Sequence, residues 1–467
     1  MPETNGAAAD PTSPRPGLLV QLTATDLDRN GDGLARWNNW VIVVPGLLPG
    51  ESADVQLQQR VRSRWLSRVV HRHNDDSGRR QPPCILARDC GGCSLQHLED
   101  SSQHRWKQSL LSATMQRIGA VTTKAEPVMG SANGMGYRNR ALIPMHRRED
   151  GTLRLGYYRR GSHRIVNLNR CPILDPRLDA LIPSIKHDLE GCGLPADHDL
   201  RSGDALRHLG LRIGHHTGDI LITLVSSSPF PALKGLAERW MGQWPKLRGV
   251  TLNLQPRRNN LILGTTTHCL AGDPCITEQF CGLNLSLSST TFFQINTPQA
   301  ERIVQCIATW LDHANISGRV IDAYCGIGTI SLPLAAKGMQ VFGIEISADS
   351  IDQARVNAAR NQLADQTEFI AGDVAVHLRH HLNHCSALVL DPPRKGLDGD
   401  VIEAIVNNPP DRLAYLSCDV ATQARDLKRL LSPEGVYELI QLQPIDFFPQ
   451  TTHLENLALL QRRELSS

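Results

Sequence analysis

Val320-Ile321-Asp322-Ala323-Tyr324-Cys325-Gly326-Ile327-Gly328-Thr329 reads as an apolar strand running into a tight G-x-G turn. The third glycine of a dinucleotide fingerprint is missing. A pyrophosphate needs close approach to a helix N-terminus, whereas S-adenosylmethionine has no phosphate and tolerates a larger residue there. Glu345 stands 23 residues after Asp322, at the end of the next apolar run, where an acidic side chain can accept ribose hydroxyls. Asp373, after EFIAG, falls near the expected adenine edge. The G-x-G turn alone also fits other nucleotide-binding Rossmann domains.

Outward from this turn, strands and helices alternate. QVFGIEI, EFIAGD, ALVLDPP and RLAYLSCD read as strands, and SADSIDQARVNAARNQL as a helix capped by Ser347. TPQAERIVQCIATWL reads as a helix with Pro298 at its start. Val436–Gln443 and Asn456–Leu460 are expected to close the domain as a hairpin. Such alternation implies an α/β, doubly wound, Rossmann-like sheet over 288–467, with ligands at the carboxyl ends of its strands. The 467 residues leave room for about two further domains. Short alternating runs over 18–72, punctuated by Gly31, Gly33 and Pro49-Gly50, fit a small OB-like β-barrel. Strand-rich text places an α+β domain over 73–287, within which 98–119 forms an amphipathic helix that can pack on the catalytic domain. Residues 1–17 read as a disordered tail.

The net charge of +2 hides an asymmetry: residues 60–170 hold 21 Lys/Arg against 8 Asp/Glu, a local balance of +13. A basic block of that size suits nucleic acid, although a solvated basic face has the same composition. No apolar run approaches a membrane span, and the N-terminus lacks the basic and apolar regions of a secretory signal. The expected location is the cytoplasm, without membrane association or an obligate protein partner.

Twelve cysteines without an export signal suggest thiols, metal ligands or a nucleophile rather than disulfides. Cys84, Cys90 and Cys93 form C-x5-C-x2-C around Gly91 and Gly92, and Cys171 precedes Pro172. Four thiolates can hold zinc or an iron–sulfur cluster; buried, unligated thiols are the plainer alternative. Cys192, Cys269, Cys275, Cys281, Cys306 and Cys385 match no ligand spacing and read as ordinary thiols.

Four further strings carry chemistry. Phe292-Phe293-Gln294-Ile295-Asn296 offers an amide suited to the amino-acid end of the donor, with Asn296 read as turn or cap chemistry. Asp391-Pro392-Pro393-Arg394-Lys395-Gly396 lacks the aromatic wall that base-amine methylation favours; Asp391 can bind donor or substrate. Leu416-Ser417-Cys418-Asp419 ends a strand at the switch-point edge, and Thr451-Thr452-His453-Leu454-Glu455-Asn456 begins the last one. Taken singly, Cys418 reads as a core thiol and Glu455 as a strand-edge charge.

In that order, FFQIN, DAYCGIGT, GIE, DPPRKG, SCD and THLEN resemble the motifs of the RNA uracil-C5 (5-methyluridine) methyltransferases. The Asp26–Glu51 region is similar to a TRAM domain, and CILARDCGGCSLQHL with NRCPIL resembles the iron–sulfur segment of the same family. The combination is most similar to the bacterial 23S ribosomal RNA enzymes carrying both accessories. The resemblance implies S-adenosyl-L-methionine as methyl donor, contacted by Gln294, Tyr324, Thr329, Glu345, Asp373 and Asp391. It implies Cys418 as nucleophile, Glu455 as base, and a 4Fe-4S cluster on Cys84, Cys90, Cys93 and Cys171. The implied partner is 23S ribosomal RNA. Other readings are a different ribosomal or transfer RNA site, or a non-catalytic RNA-binding assembly factor. The family usually has proline after SCD or SCN; Val420 stands here, and a looser turn after the nucleophile is expected.

Overall fold

The computed structural model describes residues 13–201, 203–312, 318–432 and 435–463. Most of the expected N-terminal tail lies outside them, but Gly17 N donates to Leu57 O at 2.8 Å and so belongs to the first sheet. The chain divides into two compact units. The smaller comprises 1–87, 92–103 and 450–452; the larger comprises 88–91, 104–449 and 453–467.

The smaller unit is built on a six-stranded sheet ordered Leu19–Thr23, Ser52–Val61, Arg64–Arg72, Trp40–Val44, Gly33–Trp37, Asp26–Leu27. Alternation along Leu19–Thr23 and the first half of Ser52–Val61 sends Val20, Leu22, Val55 and Leu57 inward onto Ile42, Val44 and Trp65. Gly31, at φ +78°, lies against Ser94; a Cβ there would meet Ser94 O at 2.7 Å. Three residues from near the C-terminus, Gln450–Thr452, are tied into this unit. Gln450 is fully buried. Its carbonyl accepts from Ser94 N (3.0 Å) and Leu95 N (2.9 Å), and its side-chain oxygen accepts from Arg80 (2.8 Å) and Gln103 (3.0 Å). Its own amide donates to Asp100 at 2.9 Å, and Thr452 Oγ1 donates to Arg29 O at 2.5 Å.

The larger unit holds two main sheets. One is ordered Thr266–Gly272, Leu247–Leu254, Ile220–Ser226, Leu206–Ile213, Arg140–Arg147, Leu153–Leu155, and among its pairings only Ile220–Ser226 with Leu247–Leu254 is parallel. The other has seven strands: Thr367–Ala371, Val341–Glu345, Arg319–Ala323, Cys385–Leu390, Arg412–Ser417, Glu455–Arg462, Tyr437–Ile445. The first five run parallel, and the last two form the expected antiparallel closing hairpin. Strand order reverses between Arg319–Ala323 and Cys385–Leu390, which opens a crevice at their carboxyl ends.

Helices cover both faces because their apolar residues recur at helical spacing. In Thr297–Asp312 the buried positions Ala300, Ile303, Val304, Ile307, Ala308 and Leu311 form one stripe. Each large aliphatic side chain so buried contributes about 1.5–3 kcal/mol. Ser347 accepts from Ser350 N and caps Ala348–Arg360. On the opposite face Leu111, Met115, Val121 and Ala125 join the core formed by Ile321, Leu388, Tyr415 and Leu427. The helix that carries Leu111 runs Asp100–Thr114 and widens into a π-turn over Met115–Gly119. It also supplies Lys107, wholly buried, whose ammonium lies 2.6 Å from Asp446 Oδ1; His104 Nε2 lies 3.2 Å from Asp446 Oδ2. Burial alone would raise the Asp446 carboxyl, but Lys107 and His104 more than reverse this and hold it below the usual range.

Candidate active site

The G-x-G turn follows the central strand. Tyr324 takes φ +70°, an uncommon conformation for a bulky residue, and Gly326 and Gly328 take +54° and +86°. A Cβ on Gly328 would lie 3.0 Å from Leu332, so glycine there lets the next helix close on the turn. The turn opens one side of a cavity of about 520 Å³ of empty space. Gln294, Tyr324, Thr329 and Asp391 line it, together with Asp322, Phe292 and Phe447.

Glu345 stands at the lip. Its carboxylate accepts from Gly326 N at 3.3 Å and Ser347 N at 3.0 Å, which fixes it beside the turn. Asp373 is exposed, outside the cavity-lining residues, and accepts from Ala375 N at 2.7 Å as the cap of Val374–His381. The Asn296 side chain does not cap: its amide donates to Phe447 O at 3.3 Å, while its carbonyl receives the helix bond from Ala300 N.

Sequence reading missed Asp322 as a site residue. One carboxylate oxygen accepts from Ser331 Oγ at 2.5 Å; the other, Oδ1, is buried with no hydrogen-bond partner. Burial pushes this carboxyl up to about 7, and burial together with the charge of Asp322 pushes Asp391 up to about 7 as well. Two desolvated carboxyl groups in one cavity call for a cation. S-adenosylmethionine, with its sulfonium and ammonium groups, fits that requirement, and Gln294 can serve its carboxylate.

Glu455 opens the strand Glu455–Arg462, and Cys418 follows the last residue of its antiparallel neighbour, Arg412–Ser417. The last registered pair is Ser417 with Asn456, so Cys418 and Glu455 occupy the next facing positions. Gln423, fully buried, pins this end of the sheet: its amide donates to Tyr415 O at 2.9 Å and Asn456 O at 3.1 Å. Asp419 accepts from Ala421 N and Thr422 N at 3.0 Å each and caps Val420–Leu430. That double cap holds the turn after Cys418, so the absence of proline at Val420 is compensated locally.

Burial raises Cys418 above an ordinary thiol, and Glu455 and Asp391 raise it further; Arg394 and a backbone hydrogen bond oppose them. Glu455, 5% exposed, is pushed up to about 8 by burial and by Asp391, with Arg394 pulling the other way. Arg394 is thus the cation that favours a thiolate at Cys418, against burial and two carboxyl groups. Cys325 also lines the cavity, but burial holds its thiol well above the ordinary value.

The four candidate cluster ligands divide between the units: Cys84 and Cys93 in the smaller, Cys90 and Cys171 in the larger. All are thiols; Cys93 and Cys171 are each 9% exposed, and Cys84 and Cys90 are half-buried. Among the described residues no helix is long and apolar enough to cross a membrane.

Residues 282–463 match the family model described as tRNA (Uracil-5-)-methyltransferase, and residues 17–62 match the TRAM domain. An uncharacterised RNA methyltransferase of Parasynechococcus marenigrum is 66% identical over 99% of both chains. One from Synechocystis is 39% identical over 98% of this chain and 99% of its own, and one from Bacillus cereus 35% over 96% and 97%. The fold is similar to that of the Pyrococcus abyssi tRNA (uracil-54, C5)-methyltransferase, solved with S-adenosyl-L-homocysteine. The TM-score is 0.75 at 22% identity, over 94% of this chain and 99% of the other.

Proposed function

This chain belongs to the TRAM-bearing RNA uracil-5 methyltransferase family, and we propose that it methylates carbon 5 of a uridine through a covalent adduct between Cys418 and carbon 6. The observation that carries the reading is the facing register of Cys418 and Glu455 beside Asp391, a wall of the donor cavity.

Carbon 5 of uracil is too weak a nucleophile to take a methyl group unaided. Addition of the Cys418 thiolate to carbon 6 makes carbon 5 enolate-like and able to attack. S-adenosylmethionine supplies the methyl group. Glu455 then removes the carbon 5 proton, and elimination of Cys418 restores the ring. Asp322 and Asp391 hold the cationic donor, Gln294 its amino-acid end, and Glu345 the ribose, with Tyr324 and Thr329 shaping the turn. Asp373, which also caps Val374–His381, is in this reading a further donor contact, near the adenine. A base inside folded RNA must leave its stack to present carbons 5 and 6, so flipping accompanies the reaction.

The substrate we propose is 23S ribosomal RNA, on the strength of the TRAM match and the four-cysteine pattern. The similarity to a transfer RNA enzyme over most of the chain favours a second reading, a transfer RNA uridine. Cys84, Cys90, Cys93 and Cys171 supply the donor set that a 4Fe-4S cluster takes. The basic 60–170 block and the N-terminal sheet would carry RNA binding. Nucleoside analysis of size-separated RNA from a deletion strain tests the assignment. Loss of 5-methyluridine from 23S RNA alone is expected. Loss from transfer RNA selects the second reading, and no loss in any RNA defeats both.

A further inference from the structure

The larger unit contains a second concave site, apart from the donor cavity. A backbone bridge pairs His146, near the end of the strand Arg140–Arg147, with Asp197, and His198 N donates to Met145 O at 3.0 Å. These backbone contacts gather three side chains. One ligand atom from each of His146, Asp197 and His198 lies within 4.8 Å of the other two. His146 Nδ1 is 3.9 Å from Asp197 Oδ1, and the two imidazole rings meet edge-on with centroids 6.2 Å apart.

The His198 side chain is only 9% exposed; neither ring nitrogen makes a hydrogen bond, and Nε2 lies 3.5 Å from Asp199 Oδ1. A buried polar group without a hydrogen bond is destabilising unless a ligand takes it up. Nothing in the donor site uses this residue. Asp197 is held in place, since Oδ1 accepts from Asp199 N at 3.0 Å and Oδ2 from Arg201 N at 2.7 Å. The group opens on a cavity of about 960 Å³ of empty space.

We propose that His146, Asp197 and His198 form a site for a divalent transition metal, zinc above all, with an open coordination position facing that cavity. Two imidazoles and one carboxylate are a donor set that zinc takes when a position is left for water or a ligand. Burial lowers the pKa of His198, keeping the imidazole in its neutral, metal-binding form. Arg154 and Arg164 on the same wall oppose a cation, while Asp197 and Asp199 offset them; Arg201 is engaged by Asp199 at 2.9 Å.

The test is titration of the full chain with zinc ion alone, comparing wild type with His146→Ala and His198→Gln. Any zinc taken by cysteines is common to all three and cancels. Wild type should bind one zinc per chain more than either variant. It should also gain thermal stability with added zinc where His146→Ala does not. His146 is nearly half exposed, so its variant decides the matter even if His198→Gln folds poorly. Equal zinc binding and equal stabilisation in wild type and His146→Ala would overturn the site.

Discussion

Cys418 and Glu455 stand one step beyond the Ser417–Asn456 pair, at strand ends that Gln423 clamps, and the charge of Glu455 raises the Cys418 thiol. Both can therefore reach one pyrimidine ring. The two substitutions should therefore fail differently. Cys418→Ala should abolish turnover and form no complex with RNA that survives a denaturing gel. Glu455→Gln should still add and methylate, and so accumulate a methylated protein–RNA adduct. RNA carrying 5-fluorouridine should trap the wild type in the same way. Methylation by Cys418→Ala would remove the covalent mechanism.

Because Glu455 titrates near 8, most free enzyme at pH 7 carries its base protonated. As a base acts only when ionised, kcat/KM should climb with pH and level off above about 8. Cys418, also raised, adds a dependence that can be read separately as the rate of adduct formation in Glu455→Gln. A kcat/KM that is flat between pH 6 and 8, as about the range to scan, takes Glu455 out of the role.

Asp322 and Asp391 both sit near 7 in the empty cavity. A cationic donor prefers them ionised, so its affinity should weaken as pH falls below 7, by up to about tenfold per unit. Asp322→Asn keeps the shape but loses one charge, and should bind the donor weakly, with the shallower pH dependence of Asp391 alone. Calorimetry on RNA-free protein reads both. Undiminished affinity in Asp322→Asn would mean that Oδ1 does not meet the donor.

Protein prepared without oxygen should be brown and contain about four iron and four sulfide per chain if the cluster is of the 4Fe-4S kind. Cys90→Ser should lower the iron content and weaken RNA binding while donor binding persists. Iron-free wild-type protein from such a preparation would rule the cluster out.

The Lys107–Asp446 pair is enclosed in the larger unit. Lys107→Ala leaves the buried Asp446 carboxylate with His104 as its cationic partner and should cost up to about 3–5 kcal/mol. Lys107→Met with Asp446→Leu should recover most of that loss. Denaturant midpoints measure both. A single variant as stable as wild type would show that Asp446 finds water or another partner.

The catalytic sheet was legible because each strand and helix announces itself locally: buried parallel strands as apolar runs, and Thr297–Asp312 as a 3.6-residue stripe. Cys418 and Glu455 were legible because both fall at strand ends, where the motifs stand. Asp322 was not, because an unpartnered oxygen is a property of its surroundings and leaves no trace in spacing. Asp373 carries a cap that spacing did not announce: its carboxylate accepts from Ala375 N, a bond an acidic residue after a strand can make beside any ligand contact. Lys107 with Asp446 and His146 with Asp197 join residues far apart in the chain, where local pattern carries no information.

Gln450 has a bearing on how such a protein can be inherited. It belongs by its contacts to the N-terminal unit, yet it is encoded five residues before Glu455. A recombination event that replaced residues 1–103 with those of a relative would leave Gln450 facing foreign partners in place of Arg80, Ser94, Asp100 and Gln103. Crossovers between divergent lineages should thus survive only when both ends of the gene are exchanged together.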